Sequence, residues 1–232
     1  MLIGILLCGH TTGAALERLG EYDAAFRDLL GGPGREFRTW SVVDMEFPEG
    51  PREADAWVVT GSKHGAYEDL PFIPRLEDFI RAVHEANVPT VGICFGHQIV
   101  AQALGGRVEK FPEGWAVGRT EYEIEGLGRL HLNAWHQDQV TVIPPGARVV
   151  GQSGHCATAA LSYGPHLWTI QPHPEFTNER IALMVPERKG TLDYEDDRMD
   201  AALEGTSLPT DGDRIAEKLL EVLESVREVQ DA

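Results

Sequence analysis

Thr90-Val91-Gly92-Ile93-Cys94-Phe95-Gly96-His97-Gln98 is the stretch from which the rest of the chain can be read. Thr90–Ile93 is a short apolar run of buried-strand type, and Ile99, Val100, Ala103 and Leu104 carry helical spacing as far as Gly105-Gly106. A strand therefore turns directly into a helix at Cys94, between two glycines. Gly-x-Cys-x-Gly is what a sharp strand-to-helix corner needs, because the backbone of its central residue is strained and larger neighbours would collide. The corner lifts its central side chain to the carboxyl edge of a sheet and over a helix N-terminus, whose exposed amides and partial positive charge favour thiolate over thiol. Cys94 is thereby a candidate nucleophile; a buried core cysteine after a strand is the alternative.

Working outward, the same alternation recurs. Leu2–Leu7 is a continuous apolar run ahead of Gly9, and Leu16–Leu30 has helical spacing ending at Gly31-Gly32. Glu36–Val43 alternates until Pro48-Glu49-Gly50-Pro51, and Ala56–Thr60 is a second buried-strand pattern halted by Gly61. From Pro71 to Glu85, Ile73, Leu76, Phe79, Ile80 and Val83 share one helical face, with Pro71 and Pro74 in or before the first turn. Strands separated by helices require crossovers, so the expected fold is α/β: a mostly parallel, doubly wound sheet with helices on both faces and function at the carboxyl ends of its strands. Beyond Gly105-Gly106 short alternating runs (Val117–Ile124, Arg129–Leu132, Arg148–Val150, Ala157–Leu161, Leu167–Ile170) predict an antiparallel or mixed edge. Phe176–Val185 reads as helical, Pro186–Pro209 as acidic and poorly patterned, and a last helix begins near Asp213 with the stripe Ile215, Leu219, Val222, Leu223 and Val226. With no repeat or linker visible, residues 1–232 are expected to form a single domain with a C-terminal helical extension over about 186–232.

Composition narrows the function. Apolar residues make up 42% and charged residues 25%, an ordinary globular balance. Thirty-seven acidic against 20 basic side chains give a formal charge of −17, which repels nucleic acid and anionic membranes. The apolar opening run has no preceding basic residue and is too short to span a bilayer, and three scattered cysteines (Cys8, Cys94, Cys156) cannot staple a secreted scaffold, so a reducing cytoplasm is expected. Cys8-Gly9-His10 and His155-Cys156 lack the spacing of a zinc site, and Gly31-Gly32-Pro33-Gly34 lacks the Lys-[Ser/Thr] of a phosphate loop. Neither metal nor cofactor is expected. The acidic stretch Asp193–Asp197 is read as a solvated face.

A thiolate needs a base. His173-Pro174-Glu175 follows the strand pattern Leu167–Ile170, and residues two apart in extended chain point to the same side, so Glu175 can turn to the His173 side chain. Pro174 suits a strand end. Cys94, His173 and Glu175 then form a nucleophile, base and orienting acid. Acyl transfer also needs an oxyanion hole: one donor is the amide after the nucleophile, Phe95, and the other is expected from the turn Thr60-Gly61-Ser62-Lys63-His64-Gly65.

Thr60-Gly61-Ser62, Val91-Gly92-Ile93-Cys94-Phe95-Gly96-His97-Gln98, Gly105-Gly106, Trp135-His136-Gln137-Asp138 and Gln171-Pro172-His173-Pro174-Glu175 together resemble, in order and over roughly Leu2 to Val185, the class I (triad-type) glutamine amidotransferase family. Within it the chain is most similar to the stand-alone group that resembles the amidotransferase domain of GMP synthase and includes the γ-glutamyl peptidases. The resemblance implies a flavodoxin-like fold and a γ-glutamyl thioester on Cys94, with His173 and Glu175 activating first the thiol and then water. It further implies that the Ser62 and Phe95 amides hold the oxyanion, and that Gly61, Gln98, His136 and Gln137 bind the glutamyl end. Gln98 as a plain helix polar residue, Trp135 as a core aromatic and Asp138 as a turn former remain open. Many members have Gly-Gly-Pro where this chain has Gly61-Ser62-Lys63, and no fused synthase domain is expected. Three uses are weighed: a glutaminase-type subunit feeding ammonia to a separate synthase subunit, a self-sufficient γ-glutamyl peptidase or hydrolase, and a non-catalytic binding module on the same fold. Specificity for the small-molecule substrate is expected from the loops Lys63–Leu70, Val108–Gly118 and Pro186–Pro209.

Overall fold

The computed structural model describes residues 1–191 and 194–225. In chain order its first half comprises β1 (Leu2–Leu6), α1 (Gly13–Leu19), α2 (Tyr22–Leu30), β2 (Glu36–Trp40), β3 (Ala56–Val59), α3 (Phe72–Glu85), β4 (Thr90–Ile93) and α4 (Phe95–Ala103). There follow β5 (Arg107–Lys110), β6 (Ala116–Ile124), β7 (Gly128–His136), β8 (Asp138–Val142), β9 (Arg148–Gln152), β10 (Ala160–Ser162), β11 (Leu167–Ile170), α5 (Asn178–Arg188), α6 (Asp196–Gly205) and α7 (Gly212–Leu223).

Nine strands form one sheet in the order β2-β1-β3-β4-β11-β10-β9-β6-β7. The first five are mutually parallel, in the arrangement of flavodoxin-like sheets, and the last four join antiparallel. β3, β4 and β11 are buried along their whole length, which is why they read as continuous apolar runs. One face packs Phe26 and Leu30 of α2 and Ile215, Leu219 and Leu223 of α7 on Ile3, Val58 and Ile93. The other packs Leu76 and Ile80 of α3 and Ile99 and Val100 of α4 on Trp57, Val59 and Leu167. The doubly wound expectation therefore holds. The parallel register pairs Val59 with Gly92 and Ile170 with Ile93, so the chain leaves β3, β4 and β11 at one level of one edge. Thr60, Cys94 and Gln171 start their turns side by side.

Several boundaries differ from expectation. The Leu16–Leu30 helix is two helices, because Gly20 takes φ 73° and closes α1 by donating to Leu16 O. The strand expected over Glu36–Val43 stops at Trp40 and becomes a 3₁₀ turn over Val42–Asp44, closed by Met45 at φ 67°. The Phe176–Val185 helix starts later, at Asn178 with Thr177 as its cap, and runs past Pro186 to Arg188. The Arg129–Leu132 strand extends through His136, and Ala157–Leu161 shortens to β10. The segment 186–209, read as unpatterned, contains α6, whose inward residues Met199 and Ala202 pack with α5 and β7 side chains. The ribbon of β5 and β8 was not anticipated. Val226 of the last apolar stripe and Asp193 of the acidic stretch lie outside the described residues. No helix among the described residues is long and apolar enough to cross a membrane.

Candidate active site

The corner at Cys94 has the geometry its glycines implied. Cys94 adopts φ 54° and ψ −105°, a sparsely populated conformation for a side-chain-bearing residue that costs about 1–3 kcal/mol. A Cβ on Gly96 would stand 2.1 Å from the Val59 carbonyl oxygen, and one on Gly92 would stand 2.6 Å from the Gly96 carbonyl oxygen. Only glycines allow α4 to leave β4 so close to β3. Cys94 N donates to Ile170 O at 2.9 Å, which ties the strained residue to β11, and Gln98 N donates to Cys94 O at 3.1 Å as the first bond of α4. The sulfur thus stands at a helix N-terminus, where the amides of the first turn favour negative charge.

β11 leads to His173. After Gln171-Pro172 the chain bridges to β7, His173 N donating to Asn133 O at 2.8 Å. His173 and Glu175 project together, as their two-residue spacing required, and the Nδ1 N–H of His173 donates to Glu175 Oε1 at 2.6 Å. Both side chains are buried, the histidine to 5% exposure and the glutamate to 1%. Phe176 stacks on the imidazole with ring centres 3.9 Å apart and planes 14° apart, fixing the ring on its second face. Burial works against a charged imidazole, yet the Glu175 carboxylate and the Cys94 sulfur, each also hydrogen-bonded to the ring, raise its pKa from 6.5 to about 10. The ring with Nδ1 given to Glu175 is left to face Cys94 through Nε2.

The third element is the turn after β3. A Cβ on Gly61 would lie 3.0 Å from His173 Cε1, a tight contact, and 3.8 Å from Cys94 Cβ, an ordinary one, so this turn closes over both and a side chain there would press on the imidazole. Ser62 follows and lines the cleft, and its Oγ accepts from His64 N at 3.2 Å. Phe95 is the first residue of α4. The two amides expected to hold an oxyanion, those of Ser62 and Phe95, therefore belong to turns that flank Cys94.

The cleft over Cys94 has a volume of about 440 Å³. Gln98, His136 and Gln137 line it, as expected of a ligand-binding set. The Gln98 side-chain amide is engaged inside the protein, donating to Asp138 O at 2.8 Å and Gln171 Oε1 at 3.2 Å, and so braces the start of β8. His136 is buried, and burial pushes its pKa down to about 3. Gln137 Nε2 donates to Phe111 O at 3.1 Å. Asp138 accepts from Tyr67 Oη at 3.3 Å, and Trp135 closes the cleft floor as a buried aromatic.

Sequence reasoning named the loops but not the side chains that shape this cleft: Tyr22, Lys110, Trp115, Phe176, Arg188 and Tyr194. Phe176 was the most findable, since it directly follows Glu175. Trp115 lies in the Val108–Gly118 loop, and Arg188 and Tyr194 in the Pro186–Pro209 segment, both flagged for specificity. The histidines of the pairs set aside as metal candidates have other partners. His10 is exposed and pairs with Glu21 and Asp44 at 2.9 Å each, and His155 donates to Gly114 O at 3.2 Å. Among the described residues no group of three or more His, Cys, Asp or Glu could hold a metal ion.

A cysteine on a strained corner, a buried His–Glu pair and a glycine turn thus meet at the carboxyl edge of the parallel part of an α/β sheet. Residues 52–188 match the family Glutamine amidotransferase class-I. The chain is 32% identical over 180 residues to gamma-glutamyl peptidase 4 of Arabidopsis thaliana, covering 71% of this chain and 72% of that protein. It is 29% identical over 225 residues to a glutamine amidotransferase-like protein of Schizosaccharomyces pombe, covering 88% and 91%. A crystal structure of a glutamine amidotransferase from Methylobacillus flagellatus superposes with a TM-score of 0.75 at 23% identity, covering 97% of this chain and 92% of that one. The chain belongs to the class-I glutamine amidotransferase family.

Proposed function

We propose that the protein hydrolyses the γ-glutamyl amide of glutamine or of a γ-glutamyl compound through a γ-glutamyl thioester on Cys94. The observation that carries the reading is that Cys94 and His173 line one cleft, with Glu175 Oε1 2.6 Å behind the imidazole at Nδ1. In the first half-reaction the thiolate attacks the γ-carbonyl carbon, and the amides of Ser62 and Phe95 receive the charge on its oxygen. Imidazolium His173 protonates the departing nitrogen and the C–N bond breaks, leaving the thioester. In the second, His173 takes a proton from water, hydroxide attacks the thioester carbon, and glutamate and thiol are released. Glu175 holds the imidazole tautomer throughout and stabilises its cationic form. Gly61, Gln98, His136 and Gln137 form the wall for the glutamyl end.

Action without a synthase is the second reading. It is favoured by the match to gamma-glutamyl peptidase 4, which extends over 72% of that relative. Ammonia and amine release from glutamine and from γ-glutamyl dipeptides decides both. Cys94→Ala is expected to lower turnover by about four orders of magnitude or more. Undiminished turnover by that variant would sink the thioester route, and turnover of glutamine alone would sink the peptidase reading.

A further inference from the structure

The cleft is chemically divided, and the division bears on the leaving group. One half is polar. Asp138 accepts from Tyr67 and its carbonyl from Gln98, Gly65 N donates to Glu68 Oε1 at 2.8 Å, and Lys110 adds a cation. Charges of both signs suit the amino and carboxylate groups of a glutamyl end. The other half is apolar: Tyr22, Trp115, Trp135, Phe176, Met184 and Tyr194 belong to one cluster.

His173 stands on the apolar side, because Phe176, a member of that cluster, stacks directly on its imidazole. In the reaction proposed above the departing nitrogen takes its proton from His173, so the amine leaves across the aromatic wall. That wall is built and braced. Trp115 and Tyr194 lie 4.6 Å apart, and Trp135 Nε1 donates to Tyr194 Oη at 3.2 Å. Arg198 of α6 donates to the carbonyl oxygens of Trp115 and, at 2.9 Å, Glu113. Tyr194 and Arg198 lie outside residues 52–188, so this part of the cleft is added to the segment matched by the family. Ammonia would gain nothing from it, and a cleft of about 440 Å³ is sized for a whole dipeptide. Arg188, at the end of α5, lines the same cleft.

We propose that the leaving group is an α-amino acid with a large flat apolar side chain, so that the substrate is a γ-glutamyl dipeptide ending in an aromatic residue, whose ring lies on Trp115 and Tyr194 and whose carboxylate meets Arg188. This rests on the hydrolytic reading above and deepens it. The reaction balances as dipeptide plus water giving glutamate plus the free aromatic amino acid.

The test measures kcat/KM for γ-Glu-Phe, γ-Glu-Gly and γ-glutamyl phenethylamine, which lacks the carboxylate, with calorimetric binding of the same three compounds to Cys94→Ala. γ-Glu-Phe is expected to exceed γ-Glu-Gly by about ten- to a hundredfold, the range for burying one aromatic side chain. Trp115→Ala should collapse that ratio, and Arg188→Ala should abolish the advantage of γ-Glu-Phe over γ-glutamyl phenethylamine. Cys94-dependent turnover of all three at similar rates would overturn this proposal and leave the hydrolytic reading standing. Absent turnover with γ-Glu-Phe still binding ten times more tightly than γ-Glu-Gly would overturn the hydrolytic reading, and the leaving group with it, while keeping the aromatic preference of the cleft. Neither turnover nor a difference in binding would remove both.

Discussion

Cys94 and Cys8 occupy comparable places: both are buried, and both lie just past the carboxyl end of a parallel strand on the same edge of the sheet. Each thiol reaches a backbone carbonyl, that of Cys94 the Trp135 oxygen at 3.9 Å, and otherwise their surroundings diverge. Cys8 has an ordinary negative φ, its thiol donates to Leu6 O at 3.3 Å, its amide donates to Thr60 Oγ1 at 3.0 Å, and no helix begins until Gly13. Burial pushes its thiol up to about 12. Cys94 has positive φ, caps a helix and faces an imidazole backed by a buried carboxylate. The position of a cysteine at a functional edge is therefore insufficient; a strained corner, a helix end and a charged partner together distinguish the two.

The largest expected break in that contrast is Glu175→Gln. It removes the carboxylate that is the leading cause raising the His173 pKa, while a glutamine keeps the shape. The imidazole, still buried, then becomes neutral at pH 7 and free to take the wrong tautomer. A loss of about 10³- to 10⁴-fold in kcat is expected in steady-state kinetics. The alkaline limb of the pH profile should also move down from about 10. The same shift enters stability with a defined sign. A folded pKa raised from about 6.5 to about 10 stabilises the fold fully below about 6.5, and that contribution is lost as pH rises through about 10. Denaturation midpoints should thus fall between pH 7 and 10 in the native protein more than in Glu175→Gln. Equal pH dependence in the two would show that the carboxylate does not hold the proton on His173.

Gly96→Ala tests the corner itself, independently of any chemistry. The new methyl would meet the Val59 carbonyl oxygen at 2.1 Å, and this obstacle is β3 backbone, which cannot rotate aside. α4 must shift, at a cost of about 3 kcal/mol, the upper part of the range for overpacked cores. Urea denaturation measures it. An unchanged midpoint would mean that the close approach of α4 to β3 is not needed. The matching substitution at Gly9, after Cys8, meets Ser62 Oγ, a side-chain atom, first at 3.0 Å and should be milder.

What was readable in the sequence follows the same line. β3, β4 and β11 are buried from end to end and mostly apolar, and β4 was placed to the residue. Their turns carry Gly61, Cys94 and His173, so a correct parallel core brought most of the site with it. The ribbon of β5 and β8 escaped because its strands bury few side chains: Arg107–Lys110 buries Val108 alone. α6 escaped because Asp196–Gly205 offers only Met199 and Ala202 to the interior, and its contacts come from β6 and α5, distant in the chain. The β7 extension was hidden by buried Asn133, whose side chain donates to Phe176 O at 2.9 Å and so breaks the apolar alternation. The aromatic wall was unreadable for a related reason, since Trp115, Trp135 and Tyr194 meet only once α6 is in place.

The smallest expected effect lies at Cys8. Cys8→Ala removes a buried sulfur whose hydrogen bond goes to a backbone carbonyl, while the amide bond to Thr60 that holds the neighbouring turn remains. A loss of about 1 kcal/mol in stability with unchanged glutaminase or dipeptidase rate is expected. Alkylation supplies the complementary measurement. With pKa values near 12 for Cys8 and near 11 for Cys156, both raised chiefly by burial, at most about one molecule in a thousand carries either thiolate at pH 8. Mass spectrometry after brief iodoacetamide treatment should therefore find the label on Cys94. Glu175→Gln should slow that labelling, because the imidazole beside the sulfur is no longer held in one tautomer by a carboxylate. Labelling of Cys8 at the rate of Cys94 would mean that the edge of the sheet, and not the strained corner with its charged partner, sets thiol reactivity in this fold.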